Sequence, residues 1–359
     1  MLASERQEMG GSVTMQNNDV LLEVRNLKTY FRLIEGTVRA VDGADFAIKR
    51  GQSVGIVGES GCGKSVTARS ILRIVPEPGR IVEGEILYYR KSSDGATESS
   101  EAISLTSLSA DGREMRSIRG AEIAMVFQEP MTSLSPVHTV GNQIVEVLVL
   151  HQRLAKDEAV QRAIETLDRV GLPQPAQMIH RYPHELSGGM RQRAMIAMAL
   201  SCGPSLLIAD EPTTALDVTT QAQILELMKE LQNDLGMAIM YITHDLGVIA
   251  ETTSQVVVMY LGRDVETADV VNLFHDPLHP YTRALLRSIP KIDAKSRQRL
   301  DSIEGVVPDP YSVPRGCPFH PRCRSVIAGL CEHVDPPAYR VEPGRKVRCH
   351  LYQDQPPWQ

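Results

Sequence analysis

The chain has 359 residues, of which 42% are hydrophobic and 4% are aromatic. This length leaves room for a large α/β domain and one smaller appendage. With 38 basic and 44 acidic side chains, the net charge is −6, so no basic field favours nucleic acid as the main partner. No uninterrupted apolar run approaches the ~18 residues of a transmembrane helix, which excludes such a helix.

The N-terminal part of the chain predicts a leader followed by an antiparallel layer. Residues 1–19 are polar and lack the apolar core of a secretory signal, so we expect a disordered leader on a cytosolic chain. Strands are predicted at Val20–Val24 and Arg39–Ile48. Between them lie Tyr30 and Phe31, an adjacent aromatic pair that is either a buried strand end or a platform for stacking a purine.

The most informative stretch follows an apolar strand at Ser53–Val57 and reads GESGCGKS, which matches the phosphate-binding loop G-x-x-x-x-G-K-[ST]. Backbone N–H groups of such a loop and the start of the following helix form an anion site. Lys64 would reach the β- and γ-phosphates, and the Ser65 hydroxyl would bind Mg²⁺. A chance glycine-rich turn is the alternative. The residues predicted to contact nucleotide are Gly58, Glu59, Ser60, Gly61, Cys62, Gly63, Lys64 and Ser65.

After this loop we expect a strand at Gly84–Tyr89, a solvated loop over Arg90–Ser109 and a buried strand over Ala121–Phe127. Helical periodicity then dominates, which predicts a helical subdomain over about residues 130–200.

The helical region ends in the stretch LSGGMRQR, in which Ser187 is a good N-cap residue. The two glycines that follow, Gly188 and Gly189, permit close approach to the backbone. This stretch is therefore a second anion-binding helix start in the same chain.

Two carboxylates follow the next buried strand, Leu206–Asp210. Since ligands lie at the carboxyl ends of parallel strands, Asp210 is expected to orient Mg²⁺ through water and Glu211 to polarise an attacking water. A later strand, Ala238–Thr243, ends at His244, and a single histidine in this position is more often structural than catalytic. A helix at Gln221–Leu235 precedes that strand, and a hairpin at Val256–Tyr260 and Arg263–Glu266 follows it.

Four cysteines, Cys317, Cys323, Cys331 and Cys349, are separated by 5, 7 and 17 residues in a stretch rich in proline and glycine. Small segments of this kind often need a metal to hold their shape. The spacing is not C-x₂-C, which disfavours a zinc ribbon, and four thiolates suit an iron–sulfur cluster. On the residues alone, a cluster, Zn²⁺ and unligated thiols all stay open.

Residues 20–270 resemble the nucleotide-binding subunit of an ATP-binding cassette (ABC) transporter. The motifs occur in the order of that family. They are the Walker A loop Gly58–Ser65, the Q-loop residue Gln128, the signature Leu186–Met190, the Walker B strand Leu206–Asp210 with Glu211 behind it, the D-loop Ala215–Asp217 and the switch histidine His244.

The resemblance implies a P-loop NTPase fold of the α/β class, with an antiparallel β layer, a helical subdomain and a small cysteine-containing C-terminal extension. It implies catalytic roles for Gln128 and His244 beside Glu211, and a contact of Gln128 with both the nucleotide and Mg²⁺. It also adds Asp217 to the nucleotide-binding residues and assigns base stacking to Phe31, with Tyr30 as the alternative. Two such subunits would hold two ATP molecules head to tail, each between one Walker A loop and the other subunit's signature.

A narrower resemblance points to the ATPases of oligopeptide and dipeptide importers. It rests on the stretches QEPMTSLSP after Phe127 and HPYTRAL after Leu278, and on the cysteine-rich tail within a C-terminal extension of residues 271–359. In that subfamily such cysteines are associated with a [4Fe–4S] cluster, with Zn²⁺ as the alternative here. Nickel and opine importers share the tail, so the resemblance leaves the solute open.

The resemblance thus implies an ATPase subunit that powers peptide import at the cytoplasmic face of the inner membrane. Its expected partners are two permease subunits, a second ABC ATPase (identical or a paralogue) and, through the complex, an extracytoplasmic solute-binding protein. A soluble ABC ATPase acting on DNA or ribosomes is a weaker alternative, since only 121 residues separate Ser65 from Ser187 and only one Walker A loop is present. A redox-sensing module built on the cysteines is a third interpretation of the function.

Overall fold

The structure is a computed structural model that describes residues 19–91, 100–128, 133–214, 216–288 and 303–358. The expected leader lies outside these ranges except for its last residue, Asp19. None of the helices in the described ranges is long and apolar enough to cross a membrane.

The smaller of two sheets is the predicted antiparallel layer, with four strands in the order β2-β1-β4-β5. One prediction in this region was wrong, because the range expected to be a solvated loop contains β5. Ile103 and Leu105 are 7% and 0% exposed, so their burial against β4 makes this segment part of the sheet. The strands are β1 (Val20–Leu33), β2 (Gly36–Lys49), β4 (Gly79–Lys91) and β5 (Ser100–Ser104).

The larger sheet has eight strands in the order β11-β12-β10-β9-β3-β8-β7-β6. Strands β9, β3, β8, β7 and β6 are parallel, so their carboxyl ends meet at one edge, while β10, β12 and β11 are antiparallel additions. The strands are β3 (Ser53–Val57), β6 (Ile123–Val126), β7 (Leu206–Asp210), β8 (Ala238–Ile242), β9 (Gln255–Tyr260), β10 (Arg263–Asp269), β11 (Tyr339–Glu342) and β12 (Arg345–Val347).

Helices cover this sheet, and four of them form the predicted helical subdomain, α3 to α6. The helices are α1 (Lys64–Ile71), α2 (Arg113–Ile118), α3 (Val140–Gln152), α4 (Lys156–Arg169), α5 (Pro175–Met178), α6 (Gly188–Leu200), α7 (Val218–Leu235), α8 (Leu246–Thr252), α9 (Val270–His275) and α10 (Pro280–Arg287).

The parallel part of the sheet separates two hydrophobic cores. Along β7, Leu207 and Ala209 belong to one core, whereas Leu206 and Ile208 belong to the other. This alternation of faces explains why the strand reads as a continuous apolar run. A sheet covered on both sides holds its strand ends rigidly, and the predicted catalytic residues follow those ends.

The C-terminal extension continues the larger sheet. Strand β12 pairs with β10, with Glu266 opposite Val347. Beside this pairing, the Lys346 ammonium lies 2.6 Å from the Asp264 carboxylate, and both side chains are almost completely buried. Because an unpaired buried charge is costly, this pair fixes the extension against β10.

Candidate nucleotide site

The predicted Walker A loop, Gly58–Ser65, connects β3 to α1. Its conformation requires glycine at two positions. Gly58 has φ +151° and Gly63 has φ +101°, in the region that L side chains rarely adopt. A Cβ atom at Gly58 would lie 2.2 Å from the Met259 carbonyl oxygen, and one at Gly63 would lie 2.2 Å from the Ala40 carbonyl oxygen. The loop therefore folds tightly against β9 and β2 only because these positions lack a side chain.

Lys64 is buried at the start of α1, and its ammonium group lies within the loop. Nζ donates hydrogen bonds to the carbonyl oxygens of Gly58 at 2.8 Å and Glu59 at 3.1 Å. The neighbouring Cys62 is also buried, and burial raises the pKa of its thiol. The loop thus combines one buried cation with the N-terminus of a helix, which is the arrangement that binds phosphate.

Ser65 and Asp210 meet at the end of the loop, as the sequence predicts. The Ser65 hydroxyl donates to Asp210 Oδ1 at 2.9 Å. Burial raises the pKa of the Asp210 carboxyl, against the opposing effect of the Ser65 hydrogen bond. A hydroxyl and a carboxylate are oxygen donors of the kind that Mg²⁺ takes, so this pair fits the predicted metal ion.

Glu211 contacts the other two predicted catalytic residues, Gln128 and His244. Gln128 Nε2 donates to its Oε2 at 2.9 Å, Thr214 Oγ1 donates to the same oxygen at 2.9 Å, and His244 Nδ1 lies 3.1 Å from Oε1. Gln128, Glu211 and His244 follow β6, β7 and β8, three adjacent parallel strands. The structure thus brings the three predicted catalytic residues together at one edge of the sheet.

The environment keeps Glu211 ionised. Burial alone would raise the pKa of its carboxyl, but the hydrogen bonds from His244 and Thr214 outweigh burial and lower that pKa. Its φ of +48° is unusual for a residue other than glycine. Backbone strain of this kind is concentrated at functional sites.

The signature residues occupy a separate surface. Ser187 caps α6, with its hydroxyl accepting the Met190 N–H at 3.3 Å, and Ser187 and Gly188 are exposed. Gly189 packs on Thr220, where a Cβ atom would lie 2.8 Å from the Thr220 methyl carbon. Asp217 caps α7 by accepting the N–H of the same Thr220 at 3.0 Å. The structure thus brings the signature together with the predicted D-loop residue.

The two aromatic candidates for base stacking face different surroundings. The Tyr30 hydroxyl donates to the Asp42 carboxylate, and the Arg39 guanidinium lies 5.8 Å from the Tyr30 ring centre. The Phe31 ring lies against Gly79, where a Cβ atom would be 2.5 Å from the ring. Since Tyr30 is engaged with charged neighbours, Phe31 remains the predicted stacking residue.

The metal site predicted at the four tail cysteines finds no support among the described residues. Among the described residues, no group of three or more His, Cys, Asp or Glu side chains is arranged to hold a metal ion. Cys317 and Cys331 pack into the main hydrophobic core, whereas Cys349 packs into a separate small cluster. Burial raises the pKa of Cys317 to about 12 and that of Cys349 to about 11, and the charges of the other tail cysteines also raise both pKa values, so the four thiols lie within electrostatic range of one another. Cys323 is partly buried beside the main core. The iron–sulfur or zinc ligand set therefore stays a prediction.

Sequence reasoning missed three residues around the loop and Glu211. Thr214 is a second hydrogen-bond donor to Glu211, and Tyr281 and Arg322 of the extension contact Glu59. Tyr281 lies in HPYTRAL and Arg322 in the tail, both of which marked the subfamily without suggesting a role.

Comparisons with known proteins agree with this geometry. The ABC transporter family model matches residues 41–214, and the model of the oligopeptide/dipeptide transporter C-terminal region matches residues 265–331. Among solved structures, the ABC cassette MJ0796 in a dimer bound to ADP and Pi has a TM-score of 0.59 and 27% identity, covering 70% of this chain and 99% of that one. The fold is that of an ABC ATPase.

Curated relatives resemble nearly the whole chain. The probable peptide ABC transporter ATP-binding protein y4tR of Sinorhizobium fredii is 51% identical, over 93% of this chain and 97% of the relative. The oligopeptide transport ATP-binding protein AppD of Bacillus subtilis is 50% identical over 93% and 98%, and the dipeptide transport ATP-binding protein DppD of Escherichia coli is 46% identical over 93% and 97%. The chain belongs to the ATP-binding subunits of the peptide ABC transporter family.

Proposed function

We propose that the chain hydrolyses ATP to power the import of di- or oligopeptides. The observation that carries the proposal is the group around Glu211, where Gln128 and His244 lie within hydrogen-bond distance of one carboxylate. This group follows the strands next to the Walker A loop, and the C-terminal extension matches that of oligopeptide and dipeptide transporters.

In the proposed mechanism, the Walker A backbone and Lys64 hold the β- and γ-phosphates of ATP. Ser65 and Asp210, with Gln128 as a further predicted ligand, would hold Mg²⁺, which offsets phosphate charge when bound. Glu211 is ionised and accepts a proton from the water that attacks the γ-phosphate. His244 lies against Glu211 Oε1, from where it orients that carboxylate.

The first proposed partner, a second ABC ATPase subunit, follows from the separation of the two anion sites. The exposed signature, with Ser187, Gly188, Gly189 and the adjacent Asp217, serves a nucleotide bound by a second ABC ATPase subunit, either a copy or a paralogue. Two permease subunits carry the peptide across the membrane, an extracytoplasmic solute-binding protein delivers it, and this chain acts at the cytoplasmic face of the inner membrane. The names of the curated relatives support this assignment.

The assignment is tested with the complex captured from detergent-solubilised membranes through a tag on this chain. We expect two polytopic permeases to co-purify and the complex, in proteoliposomes, to hydrolyse ATP faster with a di- or oligopeptide and its binding protein. If Ni²⁺ or an opine alone stimulates ATP hydrolysis, the proposed solute is wrong and the assignment as a transport ATPase stands. Capture of ribosomes or DNA without permeases would contradict the proposal that the chain is an importer subunit.

A further inference from the structure

One side chain of the C-terminal extension reaches the Walker A loop. Arg322 lies between Cys317 and Cys323 in sequence, and its guanidinium binds the Glu59 carboxylate with two hydrogen bonds. Nη1 lies 2.7 Å from Oε2, and Nη2 lies 3.0 Å from Oε1. This bidentate geometry is the strong form of an arginine–carboxylate pair.

The surroundings of Arg322 hold it in one position. Its side chain is 3% exposed, and its guanidinium lies 5.9 Å from the centre of the Tyr260 ring and 6.0 Å from that of Phe319. Nε donates to the Glu304 carbonyl oxygen at 3.2 Å. A guanidinium enclosed by aromatic rings and fixed at three nitrogens has little freedom to follow a moving carboxylate. The pair therefore restrains Glu59 more than it restrains Arg322.

The extension also holds the backbone of Glu59. The Glu59 N–H donates to the Tyr281 hydroxyl at 2.9 Å, and the Tyr281 ring packs 4.7 Å from Tyr260. The carbonyl oxygens of Gly58 and Glu59 are the ones that accept hydrogen bonds from Lys64. Contacts from the extension on one side and from Lys64 on the other thus meet at the first two residues of the loop.

We propose that Arg322 is a positioning residue for the nucleotide site and that it acts through Glu59. By holding this side chain, it keeps the phosphate-binding loop in the conformation that receives the β- and γ-phosphates. The extension and the nucleotide site are then energetically coupled, so nucleotide affinity depends on a residue outside the ATPase motifs. The proposal rests on the proposed nucleotide site.

The test compares two buried arginines of the extension in the full-length chain, with binding of the fluorescent nucleotide mant-ADP and the melting temperature as readouts. Arg322→Met removes the pair with Glu59. Arg345→Met is the matched control, because Arg345 is equally buried and pairs with Asp276, away from the loop, at 3.0 Å. We expect Arg322→Met to raise the mant-ADP Kd by about 5-fold or more. Arg345→Met should lower the melting temperature and leave the Kd unchanged.

A double-mutant cycle separates coupling through Glu59 from general destabilisation. Glu59→Gln should weaken mant-ADP binding in the wild-type background and have a much smaller effect in the Arg322→Met background. Additive effects, or an unchanged Kd in Arg322→Met, would overturn the proposal.

A conservative variant keeps the test decisive where Arg322→Met does not fold. Arg322→Lys keeps the charge and loses the bidentate geometry, so it should bind mant-ADP with an intermediate Kd. A wild-type Kd for mant-ADP in a folded Arg322→Lys chain would contradict the proposal that the bidentate contact of Arg322 positions Glu59. If the wild-type chain itself binds no mant-ADP, the nucleotide site fails, which is a different result from failure of the coupling.

Discussion

Two helices of this chain begin with a glycine-rich anion motif, and the two starts are built differently. At α1 the backbone is enclosed by β2 and β9, Lys64 is buried, and Tyr281 and Arg322 hold the loop from outside. At α6 the start is exposed, and within this chain the Ser187 hydroxyl caps its own helix. The difference teaches that the motif whose binding site lies within this chain is held from several sides, whereas the motif that we propose a partner completes is left exposed.

The largest effect is expected at the enclosed start. Lys64→Ala removes the cation that faces the β- and γ-phosphates, so ATP hydrolysis by the assembled complex should fall to background in a phosphate-release assay. Lys49→Ala, at the exposed end of β2, is the control and should hydrolyse ATP normally. Normal turnover in Lys64→Ala would contradict the assignment of the loop.

The second effect separates binding from chemistry. Glu211→Gln keeps the size of the side chain but cannot accept a proton, so hydrolysis should slow by about 100-fold or more. Nucleotide binding should stay intact, and the complex should accumulate in an ATP-bound closed state. Glu226→Gln on the exposed face of α7 is the control. If Glu211→Gln turns over normally, this carboxylate is only a strand-end residue.

The third prediction concerns the exposed start of α6. Ser187→Ala should reduce hydrolysis by the assembled complex about tenfold or more, since a donor to the partner's nucleotide is lost. It should leave mant-ADP binding to the isolated chain unchanged.

Thr139→Ala supplies the matched control for Ser187→Ala. The Thr139 hydroxyl caps α3 by accepting the Asn142 N–H at 3.2 Å, so each variant should lose about 1 kcal/mol of stability through its lost cap. Equal hydrolysis in the two variants would mean that Ser187 is a helix cap and nothing more.

The smallest effect tests the helix start that carries Tyr281 to the loop. His279 caps α10, with Nδ1 accepting the Tyr281 N–H at 3.0 Å, and burial lowers its pKa to about 3. The unfolded chain takes up a proton near pH 6.5 and the folded chain does not. The contribution of neutral His279 to stability is therefore complete above pH 6.5 and is lost as the pH falls toward 3, by about 1.4 kcal/mol per pH unit.

Urea unfolding at pH 7, 6 and 5 measures this dependence. His279→Gln should be less stable than wild type at pH 7 and should lose less stability between pH 7 and pH 5. Exposed His138→Gln is the control and should lose as much as wild type. An identical pH slope in His279→Gln and wild type would contradict a buried neutral imidazole.

The parts of the fold and site that could be predicted are those that contiguous residues determine. Gly58–Ser65 and Leu206–Glu211 each contain a strand end and the polar residues that follow it, so their local chemistry was readable. Strand β5 was missed because most of its residues are polar, although it pairs with the preceding strand β4. The contact between Glu59 and Arg322 spans 263 residues, and no local pattern carries it.

The cysteines show a different limit of sequence reasoning. Four thiols within 33 residues suggest a ligand set by their number, but coordination depends on how the side chains converge. Iron and zinc analysis of protein purified without oxygen measures this directly. Brown protein with stoichiometric iron would support the cluster, whereas colourless protein with stoichiometric zinc would contradict it.

The continuity of the larger sheet across β10 and β12 has a consequence for shortened forms of the chain. Removal of the residues after 270 would expose the unpaired edge of β10 and leave the Asp264 carboxylate without Lys346. A bare strand edge is a template for pairing with other chains. A trimmed cassette should therefore self-associate, whereas the full chain protects that edge with its own last strands.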